Sequence, residues 1–204
     1  MGGLEIADDV LGDVLIARTV DPDRDVVDLA RAGRTDRALR LLMHRHGVAV
    51  YRYCREELRD AMLADDVHQQ VFIQAHRDLA RFAGRATMRT WLFAIARNRV
   101  LDAAKARRRA MAHVEQDDSA DAPDTTPSAG EQIDAARLLQ ALVRCVDKLG
   151  PSMRTAVLLR YQQGFTFAEM AVICGEKPGT LQARVTRALP LLRGCIEATT
   201  GGQL

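Results

Sequence analysis

Apolar residues recur at three- and four-residue spacing through both halves of the chain and hardly anywhere alternate one by one, a pattern that predicts helices and no sheet. Val26, Val27 and Leu29 open a short first helix that stops around Ala32-Gly33-Arg34, and Thr35 is a plausible N-cap for a second through Leu39, Leu42 and Met43. Tyr51, Tyr53, Cys54 and Leu58 continue that apolar face beyond Gly47. A third helix is expected to open near Asp65-Asp66, whose charges suit a helix N-terminus, and to carry Val67, Val71, Phe72 and Leu79 to Phe82 before Gly84. A fourth starts near Thr87 and runs through Trp91, Leu92, Ile95, Val100 and Leu101 into an arginine cluster ending at Arg109. Its stripe faces inward, Trp91 reads as core, and Arg89, Arg97, Arg99 and Arg107 face outward.

The second half repeats the pattern. Ile133, Leu138, Leu139, Leu142 and Val143 mark a helix that ends before Gly150-Pro151, and Pro151 suits the first turn of the next, which passes Val157, Leu158, Leu159 and Tyr161 to Gly164. Thr166-Phe-Ala-Glu169 matches a capping box. The short helix it opens reaches Gly175, and after Pro178-Gly179-Thr180 a last helix buries Leu181, Val185, Leu189 and Leu192. A capped short helix, a turn and a basic amphipathic helix make a helix-turn-helix, whose second helix enters the DNA major groove.

Composition then narrows the class. With 204 residues, 48% of them apolar, the chain can build one sizeable core or two small ones. No stretch nears the ~20 consecutive apolar positions of a membrane helix, and the start lacks a basic leader, so a cytoplasmic protein without membrane insertion is expected. Four cysteines, at 54, 145, 174 and 195, have neither CxxC spacing nor clustered histidines, which predicts buried reduced thiols and no metal. The net charge of +2 hides a sharp partition: −5 over 1–27, +8 over 76–110, seven acids and no Lys or Arg over 111–134, and +5 over 135–204. A basic band followed by the acidic run EQDDSADAPDTTPSAGEQ predicts a polyanion-binding domain and then a flexible linker within 111–130. Two small helical domains therefore follow an acidic N-terminal extension at 1–24: 25–110 and 131–204.

DDVHQQVFIQAHRDLARFAGRATMRTWLFAIARNRVLDAAKARRR resembles the core of bacterial RNA polymerase sigma factors of the small two-domain extracytoplasmic-function group, and LGPSMRTAVLLRYQQGFTFAEMAVICGEKPGTLQARVTRALPLLR resembles that group's C-terminal domain. The likeness spans roughly 25–110 and 135–197. It implies that Asp66, Gln69, Gln70 and Phe72 dock on the clamp of the polymerase's largest subunit. It also places Arg85, Thr87 and Arg89 on a strand-opening loop for the downstream (−10) promoter element, with Arg97, Asn98, Arg99 and Asp102 on the following helix. Such work calls for cations on a displaced strand and contacts that replace lost stacking. Thr180, Gln182, Ala183, Arg184 and Arg187 fall at positions resembling the readers of the upstream (−35) element. The resemblance further implies core RNA polymerase and promoter DNA as partners, an anti-sigma factor as a candidate third, nucleoid association within the holoenzyme, no cofactor and no catalysis.

Five positions depart from the family pattern: Gln70 replaces a usual Glu, His76 a usual Trp, Glu176 and Lys177 the apolar residue and Ser before the recognition helix, and Pro190 interrupts that helix. A stand-alone helix-turn-helix regulator is the alternative, and stoichiometric binding to core polymerase separates the two. An Asp65-Asp66-His68 metal centre lacks a second ligand cluster.

Overall fold

The computed structural model describes residues 22–112 and 132–200, all helical apart from short turns. The elements are α1 (Arg24–Arg31), α2 (Thr35–Leu58), α3 (Ala61–Leu79), α4 (Met88–Ala112), α5 (Gln132–Lys148), α6 (Pro151–Val157) continuing into one π-helical turn over Leu158–Gln162, α7 (Phe167–Cys174) and α8 (Pro178–Thr200). Residues 1–21 and 113–131, which include most of the acidic extension and the expected linker, lie outside the described residues.

Two acids just before and within α1 fasten it to α2. Asp23, 1% exposed, faces Arg45 Nη1 at 3.1 Å and His46 Nε2 at 2.7 Å, while Asp25 accepts from both Arg45 amino groups at 2.6 Å. Burial opposes ionisation of Asp23, yet His46 and then Arg45 hold its carboxyl below the usual range. Thr35 is the first helical residue rather than a cap; the cap position falls on Arg34, which makes no side-chain capping bond. Gly47 sits inside an unbroken α2, where its carbonyl lies 3.1 Å from His68 Nε2 of α3.

The third helix begins one turn earlier than Asp65-Asp66 suggests. Asp60 Oδ1 accepts from the Leu63 amide at 3.0 Å and caps it, leaving Asp65 and Asp66 exposed on the next turn. It also ends at Leu79, short of Phe82. Helix α4 starts as expected, with Thr87 Oγ1 accepting from the Thr90 amide at 3.1 Å. Trp91 is half-buried, edge-on to Phe82 at 5.4 Å, and packs against the core as expected.

In the second half Pro151 occupies the first turn of α6, and Thr166 and Glu169 form the full capping box: the Thr166 amide donates to Glu169 at 2.8 Å and the Glu169 amide to Thr166 Oγ1 at 3.2 Å. Helix α8 continues through Pro190. Its buried stripe is Leu181, Val185, Ala188 and Leu192; Leu189, expected inside, is 44% exposed, because the stripe steps by three from Val185 to Ala188.

Of the two arrangements the composition allows, one sizeable core or two small ones, the two helical regions adopt the first. One hydrophobic cluster runs from Val26 to Leu192, with α4 as the common wall: α2 and α3 pack on it, and so does α7. Phe93 of α4 lies 5.7 Å from Tyr53 on one side and 5.0 Å, edge-on, from Phe165 on the other. The cysteines are also redistributed. Cys54 and Cys174 are buried free thiols, the former pushed up to about 12 by burial, but Cys145 and Cys195 form a disulfide between α5 and α8. Fifty residues separate them in sequence and 5.8 Å separates their Cα atoms, a juxtaposition created by helix packing that spacing alone does not reveal.

Candidate nucleic-acid interface

The α4 arginines do not all face outward. Arg89 lays its guanidinium 4.1 Å from the ring centre of Phe165 and 5.5 Å from that of Phe93, and donates to the Gln163 carbonyl. Burial depresses its pKa. Arg97, with a 19% exposed side chain, faces Glu176 at 3.7 Å. Arg99 donates to Gln74 Oε1 at 2.8 Å across to α3, and Thr87 is occupied by its cap. Arg85, Asn98 and Asp102 are the exposed members of the downstream set. The outward reading therefore fails for Arg89 and Arg97, because the α6–α7 connection and α7 cover that side of α4. Periodicity identifies a helix face but not what packs on it.

The recognition helix presents a freer surface. Thr180, Gln182, Ala183 and Arg187 are exposed, Arg187 Nε donating to the Ala183 carbonyl at 3.2 Å. Arg184 forms a two-pronged pair with Glu176, at 2.8 Å and 2.6 Å. The hydrogen bond from Arg184 holds the Glu176 carboxyl below its usual range and raises the arginine in turn. Glu176 occupies the turn after Gly175, whose φ of +66° is left-handed and aims that turn back at α4.

On α3, Asp66, Gln69 and Gln70 share one exposed face, but Phe72 is 4% exposed and packs edge-on to His68 at 5.1 Å, so it belongs to the core rather than to that face. Ile73, 52% exposed, stands at helical spacing from Asp66, Gln69 and Gln70 and is the apolar residue of that face. The same spacing, read from the sequence, was enough to find it. His76, where the family pattern has Trp, lies 3.0 Å from Asp36 on α2. A second apolar surface, a groove of about 920 Å³, runs between α5, the π-helical turn and α8 and includes Leu139, Leu142, Val143, Tyr161 and Leu189.

Among the described residues no group of three His, Cys, Asp or Glu could hold a metal, and His68 is engaged by Gly47 and the rings of Tyr51 and Phe72. No helix among them is long and apolar enough to cross a membrane.

Residues 42–110 match the family model Sigma-70 region 2, and 139–192 match Sigma-70, region 4. The chain is 35% identical over 139 residues to the ECF RNA polymerase sigma factor SigC of Mycobacterium tuberculosis, covering 64% of this chain and 69% of that one. It is 29% identical over 152 residues to the RNA polymerase sigma factor CarQ of Myxococcus xanthus, covering 74% and 85% respectively. The solved structure of CnrH in complex with the cytosolic domain of CnrY superimposes with a TM-score of 0.64 at 25% identity, over 87% of this chain and 99% of that one.

Proposed function

The chain belongs to the extracytoplasmic-function group of RNA polymerase sigma factors in the sigma-70 family, and on that premise we propose that it binds core RNA polymerase and directs promoter recognition, duplex opening and transcription initiation. The observation that carries this reading is the order of two matched regions, each ending in an arginine-bearing helix, α4 and α8. A subunit of this kind makes and breaks no covalent bond itself. It supplies binding energy, and its place is the cytoplasm, with the nucleoid when in holoenzyme.

We divide the work as follows. Residues 25–110 hold polymerase through the exposed face of Asp66, Gln69, Gln70 and Ile73, and contact the downstream element through Arg85, Arg89, Arg97, Asn98, Arg99 and Asp102. Asn98 suits paired hydrogen bonding to an adenine edge, whereas the arginines chiefly hold phosphates. Residues 131–204 read the upstream element with Thr180, Gln182, Ala183 and Arg184, while Arg187, nearly a turn later, grips backbone. The segment 111–130 spans the two, and 1–24 is an acidic extension. Because Arg89 is occupied by the loop before α7 and Arg97 faces Glu176 on the turn after it, full promoter contact requires the halves to part. CnrH was captured with the cytosolic domain of CnrY, and a protein partner that binds this chain directly, of the anti-sigma kind, is the candidate here.

Size-exclusion chromatography with purified core polymerase tests the reading. One copy per polymerase should co-elute, and charge reversal at Asp66 should weaken the complex; a chain that binds duplex DNA yet never co-elutes with polymerase would be a stand-alone regulator.

A further inference from the structure

Resting on the promoter-binding reading, we propose that Glu176 is an internal stand-in for a DNA phosphate: one carboxylate that occupies the arginines of both promoter-reading helices and thereby holds the free chain closed and off DNA. Both oxygens are used. Oε1 accepts from Arg184 Nη1 at 2.8 Å and faces Arg97 Nη2 at 3.7 Å, while Oε2 pairs with Arg184 Nη2 at 2.6 Å. An arginine fork fits carboxylate and phosphate oxygens by the same two-pronged geometry, so the two anions compete for one set of donors.

The surroundings favour this role over that of an incidental surface pair. Glu176 stands on a three-residue turn between α7, which packs on α4, and α8, so a single side chain reaches arginines 87 residues apart in sequence. Arg107, Arg108 and Arg154 line the same 430 Å³ cavity as Arg97 and Arg184, against only Glu176 and the buried Glu57. Closing the two halves without the Glu176 charge would bring uncompensated like charges together. Arg97 Nε is buried with no hydrogen-bond partner, a donor that the closed state leaves unused. Glu176 is also one of the positions where the chain departs from the family pattern, so this clamp belongs to this chain's own residues.

The consequence is a competition. In the closed state Glu176 is paired with Arg184 and faces Arg97 at 3.7 Å; DNA competes with it for both arginines. The pair is about a quarter exposed on each side, so its hold is modest and reversible.

The test uses the full-length chain, a short duplex of randomised sequence as the probe, and a cycle of variants. Glu176→Gln keeps the shape and removes the charge. Fluorescence anisotropy should show roughly three- to tenfold tighter binding than wild type, with a steeper salt dependence, and small-angle scattering should show a larger radius of gyration. In an Arg97→Ala/Arg184→Ala background the same substitution should give no gain in affinity. Unchanged affinity and unchanged dimensions for Glu176→Gln would overturn the proposal, as would a gain that survives loss of both arginines, since that would be a general charge effect. Failure of the underlying reading shows separately, as a holoenzyme that does not initiate, while scattering still reports whether Glu176 closes the chain.

Discussion

Helices α4 and α8 carry the two arginine sets assigned to promoter DNA, yet they stand in opposite situations. On α8 the residues Thr180, Gln182, Ala183 and Arg187 face solvent and only Arg184 is tied down, by a carboxylate at the rim. On α4, Arg89 is sandwiched against aromatic rings and Arg97 is largely enclosed, so the side proposed to meet DNA is also a wall of the core. The difference follows from what each helix must bury. Helix α8 needs one apolar stripe, Leu181 to Leu192, and leaves its other faces exposed. Helix α4 receives α2 and α3 on one side, and Phe165 of the second half on another. An isolated chain therefore leaves the proposed upstream contacts exposed except for Arg184, and of the proposed downstream contacts it covers Arg89 and Arg97 while Arg85, Asn98 and Asp102 stay exposed. Under the proposed function, polymerase would uncover Arg89 and Arg97 by drawing the halves apart.

The contrast breaks most severely at Phe165. Fully buried between Phe93 and the Arg89 guanidinium, it is the centre of the seam. Phe165→Ala should cost about 3–5 kcal/mol in denaturant unfolding. It should also uncover the α4 face, turning one transition into two; a loss below about 1 kcal/mol would mean the halves do not depend on that contact. Next in size is Arg184. In the holoenzyme, Arg184→Ala should cost ~1–3 kcal/mol on the preferred upstream element and flatten preference at one base position. Arg187→Ala should instead weaken every sequence alike and lower the salt slope by about one unit, and the reverse pattern, measured over a randomised upstream element, would exchange the two roles.

The smallest effect is a pH dependence at the seam's ionic edge. Glu57 is 5% exposed, 3.6 Å from Arg154, and burial raises its pKa despite opposing contributions from Thr155, Arg154 and Tyr53. A raised pKa means the folded state binds more protons than the unfolded chain in the window just above the ordinary glutamate range, so this group's contribution to stability falls as pH rises through that window. Glu57→Gln should flatten that part of the curve of unfolding free energy against pH. An unaltered slope would show that Glu57 titrates as it does in the unfolded chain.

Much of the fold was legible because local rules agree with tertiary ones. Pro151 at a first turn, the Thr166–Glu169 box and the Thr87 cap are each fixed by residues three or four positions apart. Where a cap competes with charge, local reading slipped: Asp60 starts α3, although the Asp65-Asp66 pair is the stronger signal in sequence. Exposure at the candidate site was legible in part. The exposed positions of α8 follow from spacing, but the burial of Phe72, on the inner side of α3, and of Arg89, under Phe165, depends on contacts between elements far apart in the chain. The Cys145–Cys195 bridge and the reach of Glu176 to both Arg97 and Arg184 are of the same kind, set by helix packing rather than by periodicity.

Run-off transcription from a genomic fragment library with purified core polymerase, with and without this chain, shows whether it directs initiation. Discrete transcripts should appear only when the chain is present and should share an upstream and a downstream element at fixed separation. Transcripts identical to those of core polymerase alone, from a chain shown to be folded, would contradict the proposed function.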